Sequence, residues 1–164
     1  MWPRERIHEL REMVEANGLT LKVIESVNVS DDIKIGTDKR DEHIEAYKQT
    51  IRNLAAEGIK VICYNFMPVF DWVKSDLDYR LADGSSTLAF IRKNIPDDPQ
   101  EIIDTVANGS GEFTLPGWEP ERLSQIRSLL DAYHDVDEDR LRENLVYFLK
   151  AIMPVCEECD VKMA

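Results

Sequence analysis

Apolar residues recur at helical spacing in three separate stretches, and each stretch runs through a turn into a short apolar segment. In the first, Pro3 suits an opening helical turn, and Ile7, Leu10, Met13 and Val14 follow three or four residues apart. Asn17-Gly18 predicts the stop, since glycine tolerates the left-handed backbone that closes a helix. Residues Leu19 to Ser26 then read as a β-branched strand. In the second, Thr37 or Asp38 caps a helix that places Ile44, Tyr47, Ile51, Leu54 and Ala55 on one face. Gly58 ends that helix, and Ile59 to Asn65 reads as the next strand. In the third, Asp137, Glu138 and Asp139 put negative charge at a helix N-terminus, where the helix dipole favours it. Leu141, Leu145, Phe148, Leu149 and Ile152 form the apolar stripe, and Pro154 is expected to kink the helix or end it early. Asp160 to Ala164 reads as the start of a third strand.

Helix, turn and strand repeated in this way predict an α/β architecture with parallel strands. Three parallel strands make a poor sheet alone, because both faces of such a sheet are normally covered. The chain therefore reads as part of a larger domain, with two helix–strand units over 1–66 and a helix plus the start of a strand over 137–164. Residues 67–136 break the repeat with turn signals at Asp83-Gly84, Pro96, Pro99, Asn108-Gly109, Gly111, Pro116-Gly117 and Pro120. Helical pieces are expected at 100–107 and 120–133. An excursion leaving the C-terminal end of a strand is either an active-site loop or a solvent-facing insertion.

Composition narrows the partners more than the chemistry. A chain of 164 residues with 43% hydrophobic and 32% charged content suits a soluble fold with a real core. It holds no apolar run near the ~18 residues of a membrane span, and its charged start is unlike a signal peptide, which predicts a cytoplasmic protein. The net charge of −12 argues against nucleic acid and anionic membranes as partners. Cys63, Cys156 and Cys159 are too few for a disulfide framework, and Cys156-Glu157-Glu158-Cys159 lacks the second ligand pair of a structural zinc site. His8, His43 and His134 read as solvated helical residues outside any ligand spacing. Asp31-Asp32, Asp97-Asp98 and Asp135 to Asp139 lack the alternating ligands and glycine of a calcium loop.

Chemistry in parallel α/β folds gathers at the C-terminal ends of the strands. Glu25 and Asn65 stand at two such ends as candidate pocket residues. Each also has a purely structural reading: Glu25 as a cap on the next turn, Asn65 as a tie to the loop backbone. Asp71 is either a pocket carboxylate or a surface ion-pair partner of Lys74 or Arg80. Phe70 and Trp72 either pack or offer a stacking surface.

The segment Cys63-Tyr64-Asn65-Phe66-Met67-Pro68-Val69-Phe70-Asp71-Trp72 resembles a strand end of the mannonate dehydratases. Val23-Ile24-Glu25-Ser26-Val27, Leu115-Pro116-Gly117-Trp118-Glu119 and Phe148-Leu149-Lys150-Ala151-Ile152-Met153-Pro154-Val155 are similar to the same family, so the resemblance covers nearly the whole chain. It implies a fragment of a (β/α)₈ TIM barrel with a long helical insertion after the third barrel strand, the chain supplying strands two and three and the start of four. The implied reaction is the dehydration of D-mannonate to 2-keto-3-deoxy-D-gluconate in glucuronate catabolism. The implied metal is Mn²⁺ or Fe²⁺, with its His, Cys and Asp ligands beyond Ala164, so no metal ligand is expected here. Glu25, Asn65 and Asp71 become substrate-binding walls, with the acid and base unassigned. The full-length protein is expected to be capable of homo-oligomerisation, and this chain alone to be inactive and of marginal stability. Two other readings stand beside this one: a non-catalytic piece that complements a partner chain, and a different barrel enzyme such as a sugar isomerase or epimerase.

Overall fold

The computed structural model describes residues 1–69, 74–96, 101, 126 and 128–164. These fall into two compact units, Met1–Phe66 with Asp135–Ala164, and Met67–His134. The first unit is mixed α/β.

Its sheet consists of β1 (Val23–Ile24), β2 (Val61–Ile62) and β5 (Lys162–Met163), in the order β1-β2-β5 and parallel throughout. Val23 pairs with Val61 and Val61 with Lys162, while Ile24 pairs with Ile62 and Ile62 with Met163. Residues in register on parallel strands share a face, so this pairing sorts the side chains into two rows. The Ile24 and Ile62 row is buried against helices α3 (Arg40–Ala56) and α4 (Glu138–Cys159). The row containing Val23 and Lys162 faces away from them. The expected strands, 19–26 and 59–65, are longer than those observed. Ladder pairing needs a neighbour in register, and only two residues of each strand have one.

Phe148 sits at the centre of the core, fully buried with Ile51, Leu54, Ile62 and Ile152. Tyr47 meets its ring edge-on with centroids 5.0 Å apart, and Phe66 stacks at 6.0 Å. Burying such a ring stabilises the fold by roughly 1.5–3 kcal/mol. The Tyr47 hydroxyl donates to the Val27 carbonyl at 3.3 Å, which ties the segment after β1 to α3. Burial pushes the Tyr47 phenol far above its ordinary range, so the group stays neutral.

Polar contacts position the remaining helices. Short helix α2 (Asp31–Ile35) is capped by Ser30, whose hydroxyl accepts from the Asp32 N–H, and is closed by Gly36 at φ 82°. Buried Asn144 of α4 donates to the Lys34 carbonyl at 2.8 Å, joining α4 to the end of α2. Helix α1 (Arg4–Ala16) buries Ile7 but leaves Leu10 and Met13 exposed, so apolar contact holds only one end of it. Glu57, just past α3, supplies the rest of the attachment through Arg4, His8 and Arg11.

Two expected helix boundaries differ. Lys39, with no side-chain cap bond, precedes α3, while the Thr37 hydroxyl accepts from the Lys39 N–H one turn earlier. Pro154 does not end α4, which continues to Cys159. Packing of Phe148, Ile152, Val155 and Cys156 holds the helix together through the lost backbone bond. The Asp137 cap fits expectation, its carboxylate accepting from the Arg140 N–H at 2.8 Å.

The second unit opens on a β-hairpin, in a stretch for which the sequence predicted only a turn at Asp83-Gly84. Strands β3 (Asp76–Arg80) and β4 (Ser86–Ala89) pair antiparallel, with an irregularity in register between Asp76 and Tyr79. Asp83 closes the turn by accepting from both the N–H and the hydroxyl of Ser85, and Gly84 takes φ 85°. A 3-10 turn at Arg92–Asn94 follows. Residues 101, 126 and 128–132 are helical, and the rest of the expected helices at 100–107 and 120–133 lies outside the described residues.

Candidate functional site

Backbone hydrogen bonds fix the C-terminal edge of the parallel sheet. The Cys63 N–H donates to the Ile24 carbonyl at 2.9 Å, the Val27 N–H to Cys63 at 3.1 Å, and the Tyr64 N–H to Ala164 at 3.2 Å. These bonds continue the ladder one step past the strands and bring Glu25-Ser26, Tyr64-Asn65 and Ala164 to one edge.

Glu25 is exposed, and among the described residues no hydrogen bond or ion pair engages its carboxylate. It does not cap the next helix, because Ser30 does. Asn65 is half-buried, and its Nδ2 donates to the Ser26 hydroxyl at 3.1 Å. The amide therefore clamps two strand ends together, a different role from tying down its own loop backbone. Its Oδ1 has no protein donor among the described residues. Asp71 lies outside the described residues, as do Phe70 and Trp72. Of its two expected partners, Arg80 is bonded to Asp78 at 3.1 Å.

Pattern reading missed two contributors to this edge. Ser26 was passed over because its part depends on a contact 39 residues away in sequence. Lys162 was passed over because it belongs to no motif. It is exposed and in register with Val61, which places a positive charge on the same face as Val23. Strict alternation along Val161-Lys162-Met163, with Val161 buried, is the signal that could have found it.

The remaining titratable clusters are structural. His8 Nδ1 is 2.9 Å from Glu57 Oε2 and His43 Nε2 is 3.2 Å from Asp32 Oδ2, so both histidines sit beside carboxylates instead of standing free in solvent. His134 lies in a turn past the helix expected to contain it. All three cysteines are free thiols. Burial, with smaller contributions from neighbouring Cys159 and Glu157, pushes the Cys156 thiol up and leaves it protonated and unreactive. Among the described residues no group of three His, Cys, Asp or Glu side chains could hold a metal ion. The donors described here therefore do not fit a divalent metal. No helix among the described residues is long and apolar enough to cross a membrane.

The edge thus offers a carboxylate, an amide and a hydroxyl beside a lysine-bearing face, a set suited to a small polyhydroxylated acid. The family model for D-mannonate dehydratase (UxuA) matches residues 1–164. A mannonate dehydratase of Lactococcus lactis subsp. lactis is 68% identical over 164 residues, covering 100% of this chain and 46% of that protein. One from Thermotoga maritima is 56% identical over 165 residues, again across 100% of this chain and 46% of the relative. The crystal structure of mannonate dehydratase from Streptococcus suis serotype 2 superposes with a TM-score of 0.73 at 44% identity, covering 99% of this chain and 41% of that one. The chain therefore spans slightly less than half the length of the curated relatives it matches, and it belongs to the D-mannonate dehydratase family.

Proposed function

We propose that this chain forms one side of a (β/α)₈ barrel that dehydrates D-mannonate to 2-keto-3-deoxy-D-gluconate in cytoplasmic glucuronate catabolism. The family match across residues 1–164 carries the reading. It is supported by a sheet whose strands are all parallel and whose polar candidates gather at the C-terminal edge, where barrel enzymes keep their sites. The stretch 67–136, which follows Phe66 in the sequence, is the candidate for an active-site loop.

In this reaction a proton leaves the carbon beside the carboxylate, and a hydroxyl leaves the next carbon. The enol so formed rearranges to the 2-keto acid. A Mn²⁺ or Fe²⁺ serving this reaction would take its ligands from outside this chain. The residues present do binding work. Glu25 accepts hydrogen bonds from sugar hydroxyls, and Asn65 presents its amide oxygen while Ser26 fixes its orientation; Asp71, outside the described residues, is a third substrate-binding candidate. None of the three is assigned as the acid or the base.

The test is an assay of the purified chain with D-mannonate and added Mn²⁺ or Fe²⁺, alone and with the remaining part of the Lactococcus lactis relative. Dehydration only in the mixture supports the reading. No dehydration in a mixture whose two parts have demonstrably assembled overturns it.

A further inference from the structure

Lys162 is out of place in a parallel sheet. Val161 before it is buried and Met163 after it packs against the core, so alternation turns Lys162 to the face away from α3 and α4. Its neighbours in register on that face are Val61 and Val23, both apolar. A parallel sheet is normally apolar on both faces, and an ammonium among valines without a counter-charge is costly once water is excluded. Among the described residues no hydrogen bond or ion pair engages the Lys162 ammonium. Lys60, one residue before β2, instead donates to the Cys159 carbonyl.

Toward the C-terminal edge the next row is built of small groups. The Ala164 N–H donates to the Ile62 carbonyl at 3.0 Å and the Ala164 carbonyl accepts from Tyr64, which sets Ala164 opposite Cys63. The Cys63 N–H meets the Ile24 carbonyl, which sets Cys63 opposite Glu25. Two residues along a strand return to the same face, so Ala164, Cys63 and Glu25 stand above Lys162, Val61 and Val23. A methyl and a thiol leave the space over Lys162 open. Its four-carbon stem spans roughly the two residues of rise to the edge. Glu25 lies two strands away, roughly 10 Å across the sheet, and no ion pair joins the two side chains. The face thus holds an ammonium and a carboxylate at opposite ends of a floor of small residues.

We propose that Lys162 takes the carboxylate of the sugar acid and thereby selects acids over neutral polyols. The substrate's carboxylate meets the ammonium, and its chain runs across Cys63 toward Glu25 and Asn65, which receive hydroxyls. An acid approaching a chain of net charge −12 needs a local cation to offset the general repulsion, and Lys162 supplies it at this edge. The inference rests on the proposed reaction for the identity of the ligand, but it concerns binding and not turnover.

Isothermal titration calorimetry of this chain at low ionic strength tests it, with D-mannonate as the acid and D-mannitol as the neutral probe. D-mannonate should bind more tightly than D-mannitol, and added salt should narrow the difference. Lys162→Met should weaken D-mannonate binding about tenfold, the value of a charge-assisted hydrogen bond, and leave D-mannitol binding unchanged. Lys162→Arg should restore most of the preference for the acid, and Lys150→Met, on α4, should alter neither ligand. Absence of D-mannonate binding, equal affinity of the parent for acid and polyol, or an equal loss of both ligands in Lys162→Met overturns the proposal. A Lys162→Met chain that still prefers the acid also overturns it. In the assembled enzyme Lys162→Met should raise KM for D-mannonate by a similar factor. Acid preference that depends on Lys162 in an assembly that fails to dehydrate D-mannonate sinks the proposed activity and leaves the role of Lys162 standing. Turnover with an unchanged KM does the reverse.

Discussion

The Glu57 carboxylate lies 2.6 Å from Arg4 Nε across the gap between α3 and α1, and only 4% of its side-chain surface is exposed. Hydrogen bonds from Arg4 first, and then from His8, hold its pKa down at about 2. A depressed folded-state value stabilises the fold above the unfolded value of 4.5, and that contribution disappears as pH falls through about 2. Glu57→Gln should lower the melting midpoint at pH 7. The gap between variant and parent should narrow steadily between pH 4.5 and 2. Parallel melting curves across that window would show that Glu57 is not the acid-sensitive attachment of α1.

Gly36 and Asn144 are coupled. A Cβ at Gly36 would lie 2.7 Å from Asn144 Oδ1, and the backbone there has φ 82°, a region that side chains rarely adopt. Gly36→Ala should cost about 1–3 kcal/mol in urea unfolding. Asn144→Ala should cost about 1–3 kcal/mol by removing the part-buried hydrogen bond from the amide to the Lys34 carbonyl. The double variant should lose less than the sum, because removing the amide relieves the clash. Additive losses would mean that the two positions act independently.

Phe148→Ala empties the centre of the core and should cost about 3–5 kcal/mol. Against the ~5–15 kcal/mol that holds a typical domain together, this is a large fraction of the total. Near-ultraviolet circular dichroism at 25 °C should show the loss of fixed aromatic packing around Tyr47 and Phe66. A variant retaining the parent spectrum would place the core elsewhere.

The helices were legible because a period near 3.6 survives in any sequence that buries one face. Ile44, Tyr47, Ile51 and Leu54 announced α3, and all four are buried. Strand extent was less legible, since it depends on which neighbour pairs in register, and β1 and β2 each find partners for two residues. The hairpin was missed although Asp83-Gly84 was recognised as a turn. Leu77, Tyr79 and Leu88 are exposed there, and without a buried face the alternation that marks a strand is weak. Glu25 and Asn65 could be located by their place at strand ends. The Asn65–Ser26 clamp could not, because only the fold brings those two strand ends together.

That clamp makes the role of Asn65 in the assembled enzyme testable. Asn65→Ala should raise KM for D-mannonate about tenfold, the value of one lost hydrogen bond of roughly 1.4 kcal/mol, with a smaller change in kcat. Ser26→Ala should reproduce part of the effect by freeing the amide to rotate. Unchanged KM in both variants would remove Asn65 from the pocket wall.

The most direct measurement is the appearance of 2-keto-3-deoxy-D-gluconate from D-mannonate in the presence of Mn²⁺. This chain alone should yield no more product than the metal blank. The chain assembled with the remaining part of the Lactococcus lactis relative should yield product at a rate proportional to complex. Turnover by the isolated chain, or a well-formed complex without turnover, would contradict the reading of this chain as one incomplete side of the enzyme.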